Sequence, residues 1–312
     1  MSRRAAIDIG TNSVRLFVAD LLKPSSAAPG VRCPGPPLRP VLRRLVITRL
    51  GEGLAADGSI REAAAERTAA VVAEFVGMAE DAGAATPVVF ATYAMRAARN
   101  PEVLSKRVGR PVRVLTGGEE ARLGFLGAIA GLGHRAADSE TLVLDIGGGS
   151  VELTRGTPSG VEESHSFPLG CVVLTHRFLS HDPPKEQEVA ALRAYVADTL
   201  GSLLDRIRWE LDSVVGVGGT ITTMAALAQR LALYDPDRVH GYRLTLPQIA
   251  ETLDALRALS LSARRALPGL QPERADVIIA GALVLHDVLE RLGGQPIEVS
   301  EADLLWGVLM EA

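Results

Sequence analysis

The chain has 312 residues, 47% hydrophobic and 22% charged, with a net charge of −4 and a pI near 5.9. That length points to two domains, each able to bury a core without disulfides or a structural metal, and the acidic balance gives no bulk attraction to nucleic acid or an anionic membrane. Two cysteines, Cys33 and Cys171, supply neither a disulfide framework nor a thiolate zinc site. The longest apolar run, Val277–Leu289, is broken by His286 and Asp287 and falls short of the ~20 residues of a membrane span. The start, Met1-Ser2-Arg3-Arg4, has a basic character, but Asp8 interrupts what would be the apolar core of a signal peptide. The expectation is a cytoplasmic protein with no nucleic-acid or membrane partner.

In chain order, residues 4–22 read as a strand, a tight polar turn (Thr11-Asn12-Ser13) and a second apolar run with strand alternation. Residues 24–40 are dense in Pro and Gly and read as a hairpin loop outside regular structure. A third strand is expected at Val41–Leu50, a helix at Arg61–Gly83, and short strands at Val88–Ala91 and Val112–Leu115 with helical stretches after each. The second half starts afresh with strands at Thr141–Ile146, Val151–Arg155 and Val161–Phe167, a long helix at Lys185–Trp209, and a strand at Ser213–Val217. Helices at about 221–231, 246–258 and 272–292, a strand at Ile297–Ser300 and a closing helix complete the pattern. Strands alternating with helices imply mixed α/β layers.

The first strand and turn recur. Ile7-Asp8-Ile9-Gly10-Thr11-Asn12-Ser13 is echoed by Leu144-Asp145-Ile146-Gly147-Gly148-Gly149-Ser150, again between two strands. A repeat at half the chain length suggests two similar domains whose turns oppose one another across a cleft. Gly-rich turns expose backbone N–H groups that can converge on an anion. Asp8 and Asp145 end their strands, and carboxylates beside a phosphate nest call for a hard cation such as Mg²⁺, which keeps phosphate oxygens and water as its other ligands. Each turn feeds a strand, so the dinucleotide fingerprint, whose turn feeds a helix, is excluded. No GxxxxGK[ST], HExxH or GxSxG occurs.

Four further places carry candidate chemistry. Gly117-Gly118-Glu119-Glu120 puts two acids in a first helical turn, where they complement the helix dipole and where one could orient a water against phosphorus. Arg96 could hold phosphate oxygens, and Glu152, two residues past the second turn, is either a second metal ligand or an exposed strand position. Gly218-Gly219-Thr220 follows a strand and opens a helix, offering amides to a third phosphate contact.

Together, DIGTNS, TYAMR, TGGEEARLGFLGA, VLDIGGGSVEL, FPLGCV, VVGVGGT and LPGLQPERADVIIAG resemble the exopolyphosphatase and guanosine pentaphosphate phosphatase (Ppx/GppA) family, in the family's order and over nearly the whole chain. The resemblance implies two ribonuclease-H-like domains of the actin and sugar-kinase type with an interdomain cleft. Domain I is expected at 1–127 plus a closing helix at 301–312, domain II at 128–300, with a hinge near Gly131–Asp138. Glu120 matches the family's catalytic glutamate, and Asp145 and Glu152 match its catalytic acids associated with magnesium and with water positioning, with Asp8 a further candidate metal ligand. Asn12, Ser13, Arg96, Gly147, Gly148, Gly149, Ser150, Gly218, Gly219 and Thr220 match positions that contact phosphate. The implied cofactor is Mg²⁺, with Mn²⁺ an alternative. The implied substrate is inorganic polyphosphate, losing terminal orthophosphate, or alternatively pppGpp, becoming ppGpp. An ATP-dependent kinase-like member and a non-catalytic sensor are the competing classes. The third turn carries Gly218 where many members have Ser, and longer members carry a further helical region that these 312 residues lack. A homodimer is the expected source of additional basic surface.

Overall fold

The computed structural model describes residues 2–22, 37–133, 139–207 and 211–312. The first half begins with strands β1 (Ser2–Ile9), β2 (Ser13–Leu21) and β3 (Leu38–Ile47), then a 3-10 turn at Leu50–Gly53 and helices α1 (Leu54–Asp57) and α2 (Glu62–Asp81). Strand β4 (Val88–Ala91), helices α3 (Tyr93–Ala97) and α4 (Glu102–Val108), strand β5 (Arg113–Val114) and helix α5 (Gly117–Leu132) follow. The second half opens with β6 (Thr141–Ile146), β7 (Val151–Thr157) and β8 (Gly160–Phe167), then α6 (Cys171–Phe178), α7 (Glu186–Ile207), β9 (Ser213–Val217) and α8 (Gly219–Ala228). It closes with α9 (Pro236–Val239), β10 (Arg243–Leu244), α10 (Leu246–Ala258), α11 (Leu261–Arg265), α12 (Ile278–Arg291), β11 (Ile297–Val299) and α13 (Leu304–Glu311). Among the described residues no helix is long and apolar enough to cross a membrane.

Two compact units result, Met1–Ala137 with Ala302–Ala312, and Asp138–Glu301. Helix α5 runs unbroken from Gly117 to Leu132 within the first unit. In the first unit the sheet order is β3-β2-β1-β4-β5, with β1–β3 an antiparallel meander and β4 and β5 added in parallel. Alternation along the strands sorts the side chains. Ile7, Ile9, Val14 and Leu16 pack with Val72, Phe75 and Leu104 of α2 and α4. Ala6, Phe17 and Phe90 face the other way, against Leu123 of α5 and Trp306 and Leu309 of α13. Asp8 and Arg15 share the parity of Ala6 and Phe17, so they lie on the α5/α13 side.

The second unit repeats the plan. Its order is β10-β11-β9-β6-β7-β8, with β6–β8 an antiparallel meander and β9 and β11 parallel to β6. Counted from β6 as the first strand and with the two-residue edge strand β10 left out of the count, the order is again 3-2-1-4-5. Leu142, Leu144, Val151 and Leu153 pack with Leu192 of α7, Met224 of α8, Leu253 of α10 and Leu283 of α12.

The structure departs from the sequence pattern in identifiable places. Leu38–Pro40, read as loop, belong to β3, where Pro40 faces Ala19 beside a bulge. An edge strand tolerates a residue without an N–H. Strand β3 ends at Ile47 because the Thr48 and Arg49 amides turn onto the Asn12 carbonyl, with Arg49 in the left-handed region at φ 54°. Helix α12 begins at Ile278 rather than 272; a 3-10 turn at Pro272–Arg274 precedes it, and the Ala275 carbonyl accepts the Nε of buried Arg264. Helix α6 was not expected: CVVLTHRF is rich in β-favouring residues. Of the expected hinge, Gly131 and Leu132 complete α5 and Gly133 caps it, while 134–138 lie outside the described residues, as do Cys33 and segment 24–36.

Candidate functional site

The two echoed turns have the same backbone construction. The Gly10 N–H donates to the Ser13 carbonyl at 2.9 Å, and the Gly147 N–H donates to the Ser150 carbonyl at 3.0 Å. In both, a second chain segment takes up the turn's carbonyls. Thr48 and Arg49 donate to the Asn12 carbonyl at 3.0 and 2.9 Å, and Gly51 to Thr11 at 2.9 Å. In the second turn the first residues of α6 do this: Cys171 donates to Gly147, Val172 to Gly148 and Gly170 to Gly149, at 3.0, 2.9 and 3.2 Å. With carbonyls tied back, the amides of Thr11, Asn12, Gly148 and Gly149 donate to no group among the described residues. That is the donor arrangement of an anion nest. Gly170 makes it possible, because a Cβ there would collide with the backbone of Gly148 and Gly149.

Hairpin register places chemistry opposite each turn's aspartate. Asp8 faces Arg15 across β1–β2, and Asp145 faces Glu152 across β6–β7. Arg15 donates through Nε and Nη2 to Asp8 Oδ2 at 2.9 and 2.7 Å and pairs through Nη1 with Asp303. Burial pushes the Asp8 carboxyl above its ordinary range, with Arg15 opposing. Asp8 Oδ1 and Asn12 Nδ2 are buried without a hydrogen bond. In the second unit the facing residues are both acids, a like-charge pair that destabilises a sheet unless a cation offsets it. Ser166, next along the row on β8, donates to Glu152 Oε1 at 2.7 Å. Gly218, at φ 88°, lies against Asp145, whose Oδ1 a Cβ would strike, and Gly219 lies under the Arg274 guanidinium. Thr220, at the start of α8, is buried.

The neighbouring glutamates of α5 are in opposite situations. Glu119 completes a capping box: its amide donates to Thr116 Oγ1 at 3.2 Å, and its Oε2 accepts the Thr116 amide at 2.8 Å. Its Oε1 also accepts Arg113 at 2.8 Å, and these bonds hold its carboxyl down to about 2. Glu120 is 9% exposed and accepts Arg96 Nη1 at 2.6 Å. Burial pushes its carboxyl up to about 7, against the lowering effect of Arg96. The same Arg96 nitrogen donates to the Leu115 carbonyl at 2.8 Å.

Residue types alone pointed to Asp8, Asp145 and Glu120, but Arg15, Ser166, Gly170, Arg274 and Asp303 passed unnoticed. Arg15 carried a signal, being the lone charge in the apolar run VRLFVA and the cross-strand partner that the hairpin assigns to Asp8. Among the described residues one further set, His286, Asp287 and Glu290, has ligand atoms within 4.8 Å of one another. Arg193 supplies its cation, with Nη2 2.7 Å from Asp287 Oδ1 and 3.3 Å from Glu290 Oε2.

Two sheets of order 3-2-1-4-5, each with a glycine turn after its first strand, define the ribonuclease-H-like α/β class to which actin and the sugar kinases belong. The chain belongs to the Ppx/GppA phosphatase family, whose profile matches residues 31–312. Exopolyphosphatase 2 of Mycobacterium tuberculosis is 36% identical over 324 residues, covering 99% of this chain and 98% of that one. Exopolyphosphatase 1 of Mycobacterium leprae is 30% identical, covering 99% and 88%. Among solved structures, the Aquifex aeolicus member of the Ppx/GppA family matches with a TM-score of 0.79 at 33% identity, covering 99% of this chain and 97% of that one. An exopolyphosphatase from Cytophaga hutchinsonii matches with a TM-score of 0.86 at 27% identity, covering 99% and 97%.

Proposed function

We propose that this chain is an exopolyphosphatase that hydrolyses the terminal phosphoanhydride of inorganic polyphosphate and releases orthophosphate. The observation that supports this most is Glu120, a buried carboxylate held by Arg96 whose basicity is raised into the neutral range. A general base works best when its pKa lies near the operating pH. In this reading Glu120 orients a water against the terminal phosphorus and accepts its proton. The bridging P–O bond breaks, and a chain one phosphate shorter leaves with the bridging oxygen. The candidate phosphate contacts, through turn amides and side chains, are Asn12 and Ser13 in the first unit and Gly147, Gly148, Gly149, Ser150, Gly218, Gly219 and Thr220 in the second. Arg96 contacts Glu120 through Nη1 alone, so its Nη2 and Nε serve the substrate.

The donor set fits a divalent metal. Asp145 and Glu152 are facing acids with hard oxygen ligands, the type that Mg²⁺ or Mn²⁺ takes. Within the first unit, Asp8 carries an unpartnered Oδ1, an oxygen of the same ligand type. Bound there, the cation would neutralise phosphate charge.

The test is phosphate release from defined-length polyphosphate and from pppGpp in parallel, with Mg²⁺ and with EDTA. Metal-dependent release from polyphosphate, with little from pppGpp, is the expected result. Release from pppGpp alone would keep the chemistry and replace the substrate; silence on both would remove the hydrolase reading.

A further inference from the structure

We propose that Asp303, at the start of the C-terminal helix, is a positioning residue that acts through Arg15 to decide which oxygen of Asp8 stays available. The inference rests on the reading above, in which Asp8 and Glu120 belong to the reacting site.

Asp303 divides its carboxylate between two tasks. Its Oδ1 accepts the Leu305 amide at 3.0 Å and caps α13, and its Oδ2 pairs with Arg15 Nη1. Capping alone does not need a carboxylate, since Ser, Thr or Asn caps a helix as well. The second oxygen does the distinctive work. A guanidinium facing one carboxylate favours a parallel fork, two nitrogens to two oxygens. Arg15 instead directs both Nε and Nη2 to Asp8 Oδ2, because Nη1 is tied to Asp303. Asp8 Oδ1 is thereby left buried and without a partner.

Asp303 holds this geometry because its helix is fixed. Helices α5 and α13 cross where Gly127 lies against the Asp303 carbonyl and Gly307 against the Leu123 carbonyl, contacts that leave no room for a Cβ. Phe17 stacks on Trp306 with centroids 5.7 Å apart, and Arg4 donates to the Leu309 carbonyl at 2.8 Å. The helix that carries Asp303 is thus locked onto the helix that carries Glu120. A side chain on a rigid element is what a precisely oriented site requires.

The test compares Asp303→Asn, which keeps the cap but loses the charge, with Asp303→Ala, which loses both. Asp303→Asn is expected to melt within a few degrees of the parent while kcat on short polyphosphate falls by about tenfold or more, with KM little changed. Asp303→Ala should lose stability in addition. Because the effect runs through Arg15, adding Asp303→Asn to Arg15→Gln should cost nothing further. A crystal structure of Asp303→Asn should show Arg15 forked onto both Asp8 oxygens, whether or not the protein turns over. Parent-like kcat in Asp303→Asn, losses that multiply in the double variant, or an unmoved Arg15 would each overturn the proposal. Asp8→Asn and Glu120→Gln run alongside as controls on the functional reading. Turnover surviving in both would defeat that reading by itself, whereas inactive controls beside a fully active Asp303→Asn would defeat only the role of Asp303.

Discussion

Two adjacent glutamates make the sharpest contrast at the scale of single residues. Glu120→Gln removes the proposed base and should lower kcat by about 10²–10⁴-fold while leaving substrate affinity nearly intact. Glu119→Gln should stay close to the parent, because Gln also completes a capping box. Steady-state kinetics of the pair checks both. The pH dependence has a definite sign. The base must be ionised to accept a proton, so kcat/KM should rise with pH through about 7 and level off above. Stability runs the opposite way. Glu120 titrates near its ordinary 4.5 when unfolded and at about 7 when folded, so the folded state holds the extra proton in between. Its contribution is therefore fully present below about 4.5 and lost as pH rises through about 7. Glu120→Gln should then melt higher than the parent at pH 8 and lose that advantage at pH 5, read by calorimetry. The group proposed to do the chemistry is one the fold holds at a cost.

At the scale of elements, the phosphate turns are shaped by what docks behind them. Helix α6 takes three carbonyls of the Gly147–Ser150 turn, and the approach depends on Gly170. Gly170→Ala should force the helix and the turn apart, costing about 1–3 kcal/mol of stability by overpacking. It should also raise KM more than a surface Gly→Ala such as Gly160→Ala, whose Cβ would meet nothing. Denaturant melts and KM for polyphosphate read the two effects separately. The turn itself was legible from GGGS between two apolar runs, since turn chemistry is local. Helix α6 was not, because its residues favour strands and only the carbonyls at Gly147–Gly149 give its first amides their partners.

Over the whole molecule, two units share one plan but differ in chain continuity. Asp138–Glu301 is a single stretch with its own core. The other unit needs α13 from the far end of the chain to cover Phe17, Phe90 and Leu123. A fragment of residues 138–301 should therefore give a cooperative melt. A fragment of residues 1–137 should not, and should regain one when a peptide of residues 302–312 is added. Circular dichroism on the three samples would decide, and a cooperative melt of 1–137 alone would contradict the assignment of α13 as part of that core. The repeat that underlies the plan was visible as the echo of DIGTNS in DIGGGS, and the matching strand orders show that it extends to the sheets.

The order of the strands and long helices apart from α6, the two turns, the repeat and the family were determined by the sequence itself, because apolar periodicity, glycine placement and short motifs act over a few residues. Hairpin register also lay within reach, pairing Asp8 with Arg15 and Asp145 with Glu152 at equal spacing. Only the tertiary structure decided which of Glu119 and Glu120 is buried, which oxygen of Asp8 has no partner, and why Gly170 cannot carry a side chain. Each of those depends on groups brought in from elsewhere in the chain, and Asp303 reaches Arg15 across 288 positions of sequence. Burial and hydrogen-bond partnership are properties of that assembled neighbourhood, and no local pattern contains them.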